Sequence, residues 1–158
     1  MSNFQNQANI SMGLGKVGTI SRRNPLTHLS FLAEGNNIVS GSFVKRGTNP
    51  EGQAKALEAG DTADLILGVA VFEKYQVNLS GQNTLIINEG EEMTVVLKGY
   101  VYIQASTASS VGDNVIVNPT TGEIRTLVLT YTTTANLTSG AVTTTNNAPA
   151  GFIDTGFK

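Results

Sequence analysis

The chain has no cysteine and no tryptophan, and only one histidine and four prolines in 158 residues. Without cysteine there is no thiol nucleophile, no Cys-based zinc or iron–sulfur ligation and no disulfide framework. With His28 as the lone histidine, a Ser-His-Asp constellation would have to be built around that residue, and a three-histidine metal site is impossible. Beside a strand-like segment, His28 reads as a structural histidine. Aromatic residues make up 6% of the chain, which leaves few flat faces for stacking bases or sugars. Charged residues account for 14%, where an average domain carries about a quarter. The balance of 10 Lys+Arg against 12 Asp+Glu gives a formal charge of -2, so there is no basic footprint for nucleic acid. The longest apolar run of note is Val69-Ala70-Val71-Phe72, far short of a membrane-spanning helix. The first residues have neither a basic n-region nor an apolar h-region, so the chain is expected to stay in the cytoplasm of the cell that makes it. The sequons at Asn9, Asn78 and Asn136 are then chance matches.

What is present is glycine, 17 residues of it, with an excess of threonine and asparagine. The length suits one domain with a single core, since folding at this size buries roughly two-thirds of the unfolded surface. Residues 1–25 are polar and Asn/Gly-rich without sustained periodicity, and Pro25 closes them. They are expected to form an extended arm that becomes ordered on a partner surface or a neighbouring copy. Residues 26–158 are expected to form one β-rich body, because apolar clusters recur every 8–12 residues between Gly, Asn, Asp and Pro. The fold class is mainly β, a small antiparallel barrel or sandwich. Candidate strands are 27–32, 37–46, 64–73, 93–105, 114–118, 122–131 and 150–154. In 93–105, Val95, Leu97, Gly99, Val101, Ile103 and Ala105 share one face, and Thr94, Val96, Lys98, Tyr100, Tyr102 and Gln104 share the other. Gly99 marks a bend or bulge. Asn118-Pro119-Thr120-Thr121-Gly122 predicts a hairpin turn. Beyond it the apolar parity changes, so either both faces are buried or a bulge lies near Thr126. Residues 51–60 hold good helix formers but few apolar positions, and a loop or strand suits them equally. The Thr-rich segment 132–149 reads as a surface loop or hairpin.

No motif places catalytic chemistry. Gly13-Leu14-Gly15-Lys16-Val17-Gly18 matches G-x-G-x-x-G, but no buried strand precedes it and Arg22-Arg23-Asn24-Pro25 follows where a helix would have to run. A phosphate loop would also need Ser or Thr at Val17. Asp61, Asp64 and Glu89-Gly90-Glu91-Glu92 sit at expected strand starts and lack calcium-loop spacing, so they read as turn-solvating acids. A hydrolase working through such carboxylates lacks a second placed catalytic group. Lys16, Arg22 and Arg23 form a small basic cluster, either a solvated group or a contact for an acidic protein surface or phosphate. In the arm, Asn3, Asn6 and Asn9 around Phe4 suit a segment lying along a neighbouring subunit with Phe4 as anchor.

The order of Gly41-Ser42-Phe43-Val44-Lys45-Arg46-Gly47-Thr48, Leu67-Gly68-Val69-Ala70-Val71, Gly99-Tyr100-Val101-Tyr102-Ile103, Val111-Gly112-Asp113-Asn114-Val115 and Thr121-Gly122-Glu123-Ile124 resembles the capsid decoration, or structural cement, proteins of tailed bacteriophages. The resemblance covers about residues 38–130. It implies a β-tulip-like body, a homotrimer placed on the outer capsid surface where major capsid subunits meet, and a non-enzymatic virion protein. It brings no catalytic, cofactor or metal residues, and no small-molecule substrate, nucleic acid or membrane as partner. The expected partner is the major capsid protein, with Phe4, Asn6, Asn9, Lys16, Arg22 and Arg23 as candidates for the capsid or subunit interface. The alternative is another virion component such as a tail, fibre or adhesin protein.

Overall fold

The computed structural model describes residues 16–36, 38–71, 86–135 and 142–158. The strands are β1 (Ile20–Glu34), β2 (Ile38–Val39), β3 (Phe43–Arg46), β4 (Gln53–Ala56), β5 (Ile66–Val71), β6 (Ile86–Ile87), β7 (Glu92–Val101), β8 (Asn114–Val117), β9 (Ile124–Leu127), β10 (Tyr131–Ala135), β11 (Val142–Asn146) and β12 (Ile153–Asp154). Among the described residues one 3-10 turn, Ala63–Leu65, leads into β5. The chain is therefore mainly β, as its turn-rich, weakly charged composition predicts.

Five strands close on themselves in the order β1-β4-β3-β5-β7, with β7 returning to β1. The expectation of purely antiparallel pairing is corrected here, because β1 and β4 run parallel from Leu32↔Gln53 to Glu34↔Lys55. The reason is topological: directions cannot alternate all the way round a ring with an odd number of strands, so at least one neighbouring pair must be parallel. The other four contacts are antiparallel. Residues 51–60 supply β4 rather than a helix. Their helix formers are overridden by pairing on both sides and by the complete burial of Ala54.

Inside the ring, Phe31, Ala33, Val44, Ala54, Ala70, Met93 and Val95 pack together, and the short β2–β6 pair adds Ile38 and Ile87 to the same cluster. The second cluster joins the ring to a three-stranded sheet, β12-β8-β9, through Phe43 and Val69 on one side and Val115, Val117 and Ile124 on the other. The last residues fold back over this seam. Thr155 Oγ1 donates to the Val115 carbonyl at 2.7 Å, and the Phe157 ring lies 5.5 Å from that of Phe43. Asn118 organises the β8–β9 hairpin, its Oδ1 accepting from the N–H of Thr120 at 2.9 Å and of Thr121 at 3.2 Å. No bulge occurs at Thr126: the β8–β9 register is regular through Leu127, and the parity change arises because the strand ends before the buried Leu129.

Two expectations about 93–105 need correction. Val96, assigned to the polar face, is buried, and Leu97, assigned to the core face, is only half-buried. Val96 pairs with Val69 on one side and His28 on the other, so neighbouring strands shield it. His28 itself is exposed. The bend at Gly99 is present, with φ at 150°. Opposite it the β1 register jumps from Arg22↔Tyr100 to Thr27↔Lys98. A Cβ on Gly99 would meet Leu26 Cδ1 at 2.8 Å, which that side chain can relieve by moving, so it is the positive φ that favours glycine here.

Segment 132–149 contributes β10 and β11, a two-stranded ribbon from Tyr131↔Asn146 to Ala135↔Val142.

Candidate interaction surface

The boundary expected at Pro25 moves, since β1 already begins at Ile20 and carries Arg22, Arg23 and Pro25 within it. The segment leading into β1 is pinned to the body by Gly18. Its φ is 76°, and a Cβ there would collide with Ser40, a buried residue. The Gly18 N–H donates to the Tyr102 carbonyl at 2.8 Å, and the Tyr102 N–H donates to the Thr19 carbonyl at 3.0 Å. Residues 18–22 therefore run antiparallel beside 100–102 as a ribbon, and a turn closed by the Thr19 N–H donating to the Lys16 carbonyl leads into them.

Lys98 and Tyr100 on β7 and Tyr102 just beyond it are all exposed, while Val101 and Ile103 pack against the second core cluster. Arg22 is the register partner of Tyr100, and its guanidinium lies 5.4 Å from the Tyr100 ring centroid. Arg23 and Lys16 are exposed close by in sequence. Among the described residues, Lys16, Arg22, Arg23 and Lys98 form no ion pair, whereas Lys45, Lys55 and Arg125 do. The opposite end of the β1–β7 pair carries Glu34 and Glu92, with Glu89 and Glu91 in the turn before β7. The ladder thus has a cationic, tyrosine-bearing end and an acidic end. Arg and Tyr are the side chains that most often anchor protein interfaces, combining large area with directed hydrogen bonds. The structure sets Arg22 against Tyr100; Lys16 and Arg23 are exposed nearby in sequence, and Lys98, Tyr100 and Tyr102 are exposed residues that the sequence reading did not single out as interface candidates. The period-two alternation with exposed tyrosines was the signal for these three. Phe4, Asn6 and Asn9 lie outside the described residues, as do Gly13 and Gly15 of the glycine-rich motif.

The acids divide into two kinds. Glu91 acts as expected of a turn residue, its Oε2 accepting from the Asn88 N–H at 2.9 Å. Asp61 does not, because it belongs to an ion-pair cluster that the sequence does not announce. Lys45 and Lys55 stand directly opposite one another on β3 and β4, a repulsive placement in isolation. Glu58 bridges them, at 2.8 Å from Lys45 Nζ and 3.3 Å from Lys55 Nζ, and Asp61 meets Lys45 at 2.8 Å. Burial pushes the Asp61 carboxyl up, but the Lys45 ammonium and the Glu58 N–H hold it below its ordinary value. The Lys45 hydrogen bond lowers Glu58, and Lys55 adds to it. Burial pulls Lys45 down, while Asp61 and Glu58 raise it above its ordinary value.

The sign of the pH dependence follows. Depressed carboxyls contribute stability that is present above their unfolded values and lost as pH falls through the folded ones. The raised ammonium contributes stability present below its unfolded value and lost as pH rises through the folded one. The melting temperature is expected to hold between about pH 5 and 9 and to fall below about pH 4. Lys45→Met should flatten the acid limb, and an unchanged acid limb in that variant would contradict the assignment.

Comparison with known proteins supplies the family. No curated protein matches the chain. A sequence model of the family described as structural cement protein (E217 gp24/Pam3 gp6) matches residues 4–154, and it lends no support to a tail, fibre or adhesin role. The chain therefore belongs to the phage structural cement proteins, virion components that bind capsid subunits on the outer surface of the head and stabilise the shell.

Proposed function

We propose that the cationic, tyrosine-bearing ribbon is the surface by which this cement protein grips the major capsid protein, with the N-terminal arm continuing the same contact. The observation that carries this reading is Arg22 over the exposed Tyr100, with Lys16, Arg23 and Lys98 exposed nearby and without an ion pair among the described residues, in a chain of net charge -2. An acidic patch on capsid subunits is the complementary partner. Phe4, Asn6 and Asn9 extend the contact along the neighbouring subunit, Phe4 as apolar anchor and the asparagines as hydrogen-bonding groups. The body acts as a β-tulip-like barrel and assembles as a homotrimer at the meeting point of capsid subunits. No bond is made or broken: three linked copies each hold a neighbouring subunit, so opening the shell requires several contacts to fail together.

The test is light scattering of the free protein followed by co-sedimentation with undecorated heads. The expected result is a free mass three times the 16.6 kDa of the chain and saturable, stoichiometric binding that weakens as salt is raised. A protein that ignores the heads, or binds with no dependence on salt, would overturn the ribbon as the capsid contact.

A further inference from the structure

A groove of about 340 Å³ opens between the ring and the β8–β9 hairpin. Phe43, Leu57, Val117 and Ile124 line it, with Ser42 and Thr120 as polar members, and none of the described residues around it is charged. Val17, near the start of the described chain, forms part of its wall. Val17 is seated tightly: a Cβ on Gly41 would meet its Cγ1 at 2.7 Å, and the next residue, Gly18, is buried and donates its N–H to the Tyr102 carbonyl. The chain therefore enters the body at this groove, and residues 1–15 join it there. Their sequence matches what the groove offers. Ile10, Met12 and Leu14 alternate with the small residues Ser11, Gly13 and Gly15, a short period of two that puts three apolar side chains on one side of an extended chain. No side chain in residues 1–15 is charged.

We infer that residues 10–14 lie in this groove of their own chain, with Ile10, Met12 and Leu14 against its apolar wall. Connectivity and charge choose this occupant. Leu14 is three residues from Val17, and an extended chain covers about 10 Å in that distance. A segment attached so close outcompetes the same segment of another molecule through its effective concentration. A capsid surface acidic enough to meet Arg22 finds nothing ionic in the groove, whereas a neutral segment brings no charge that would be buried unpaired. The segment between β5 and β6 carries Glu73 and Lys74, which have no counterpart there. The seat also sets where the reach of the arm begins. Residues 1–9 then remain to extend from the body, spanning about 30 Å when fully stretched. They include Phe4, Asn6 and Asn9, so the seat and the capsid contact proposed for the arm use different residues. The seat is independent of that contact.

The chain has no cysteine, so an introduced pair cross-links without interference. The experiment is disulfide formation in the free full-length protein carrying Met12→Cys with Thr120→Cys, compared with Met12→Cys and Val111→Cys. Thr120 is an exposed residue of the groove, and Val111 is a fully exposed loop residue outside it. Denaturing electrophoresis and peptide mass mapping read the products, and circular dichroism confirms each fold. The Thr120 pair is expected to close within one chain, at the 16.6 kDa mass. It should do so at least about tenfold faster than the Val111 pair, because a seated segment presents a higher local concentration than a free one. Adding Ile10→Asp should slow it by about tenfold, since a carboxylate is unfavourable against the apolar wall. A Thr120 pair that joins two chains would overturn the assignment to the same chain and give the groove to a neighbouring copy. One that closes no faster than the Val111 pair would overturn the seat altogether. Heads are absent from this measurement, so failure of the capsid contact is not confused with failure of the seat.

Discussion

Reversing the charge of Arg22 and Arg23 together is expected to weaken binding to undecorated heads by about 100-fold or more. A hydrogen bond to a charged group contributes about 1.5–3 kcal/mol, and each tenfold in affinity corresponds to about 1.4 kcal/mol. Two such contacts replaced by like-charge repulsion therefore reach this range without any change of shape. Arg22→Glu also removes the stack on Tyr100, so the tyrosine loses the cation that lies over its ring. Both arginines are exposed, and the melting temperature of the double variant should stay within a few degrees of wild type. Binding isotherms by co-sedimentation at two salt concentrations provide the check, and the variant should also lose most of the salt dependence. A shift of less than threefold with the salt dependence intact would move the capsid contact elsewhere.

Replacing Val95 by aspartate is expected to abolish folding. Val95 is completely buried in the ring's interior between β1 and β5, and the described core offers no cation near it. An unpaired carboxylate there costs several kcal/mol in desolvation even after relaxation. The lost packing of the valine adds a further roughly 1.5–3 kcal/mol. A domain holds about 5–15 kcal/mol in total. The expected outcome is insoluble protein, or soluble protein with no cooperative thermal transition. Leu97→Asp, two residues along on the same face, should be milder because Leu97 is only half-buried. A Val95→Asp protein that melts like wild type would show that the ring does not enclose the core described above.

Much of this architecture can be read from local chemistry. The alternation in 93–105 marks β7, Asn118 and Gly122 mark the β8–β9 hairpin, and Gly99 marks the bend. What escaped depends on neighbours distant in sequence. Asn24-Pro25 looks like the end of an arm because proline usually stops regular structure. In the folded chain it sits where β1 swells opposite Gly99, and bulges are among the few places a strand tolerates proline. Val96 follows the polar parity of its strand, yet it is shielded by β5 and β1 on either side. The Lys45–Glu58–Asp61 cluster depends on the register that sets Lys45 beside Lys55, and no spacing along the chain announces a register. For the interaction surface, the basic residues were visible as a cluster. The relation of Arg22 to Tyr100 was not, because it arises only when residues 18–22 pair with 100–102.

The length of β1 has a mechanical meaning. Its first half carries Arg22 and Arg23, while its last residues, Phe31 and Ala33, lie in the core. With the ribbon as the proposed capsid contact, a swelling shell that pulls on it would load β1 along its own axis, tugging it lengthwise past β7. In that geometry the ladder bonds from Thr27↔Lys98 to Leu32↔Glu92 share the load and must slip together, instead of opening one after another from an end as in a zipper. Resistance to a brief internal pressure is then set by how slowly the strand slides, not by equilibrium stability. A clamp of this kind is strongest along the direction in which its longest strand points, so the tilt of β1 against the shell surface determines which expansions it resists.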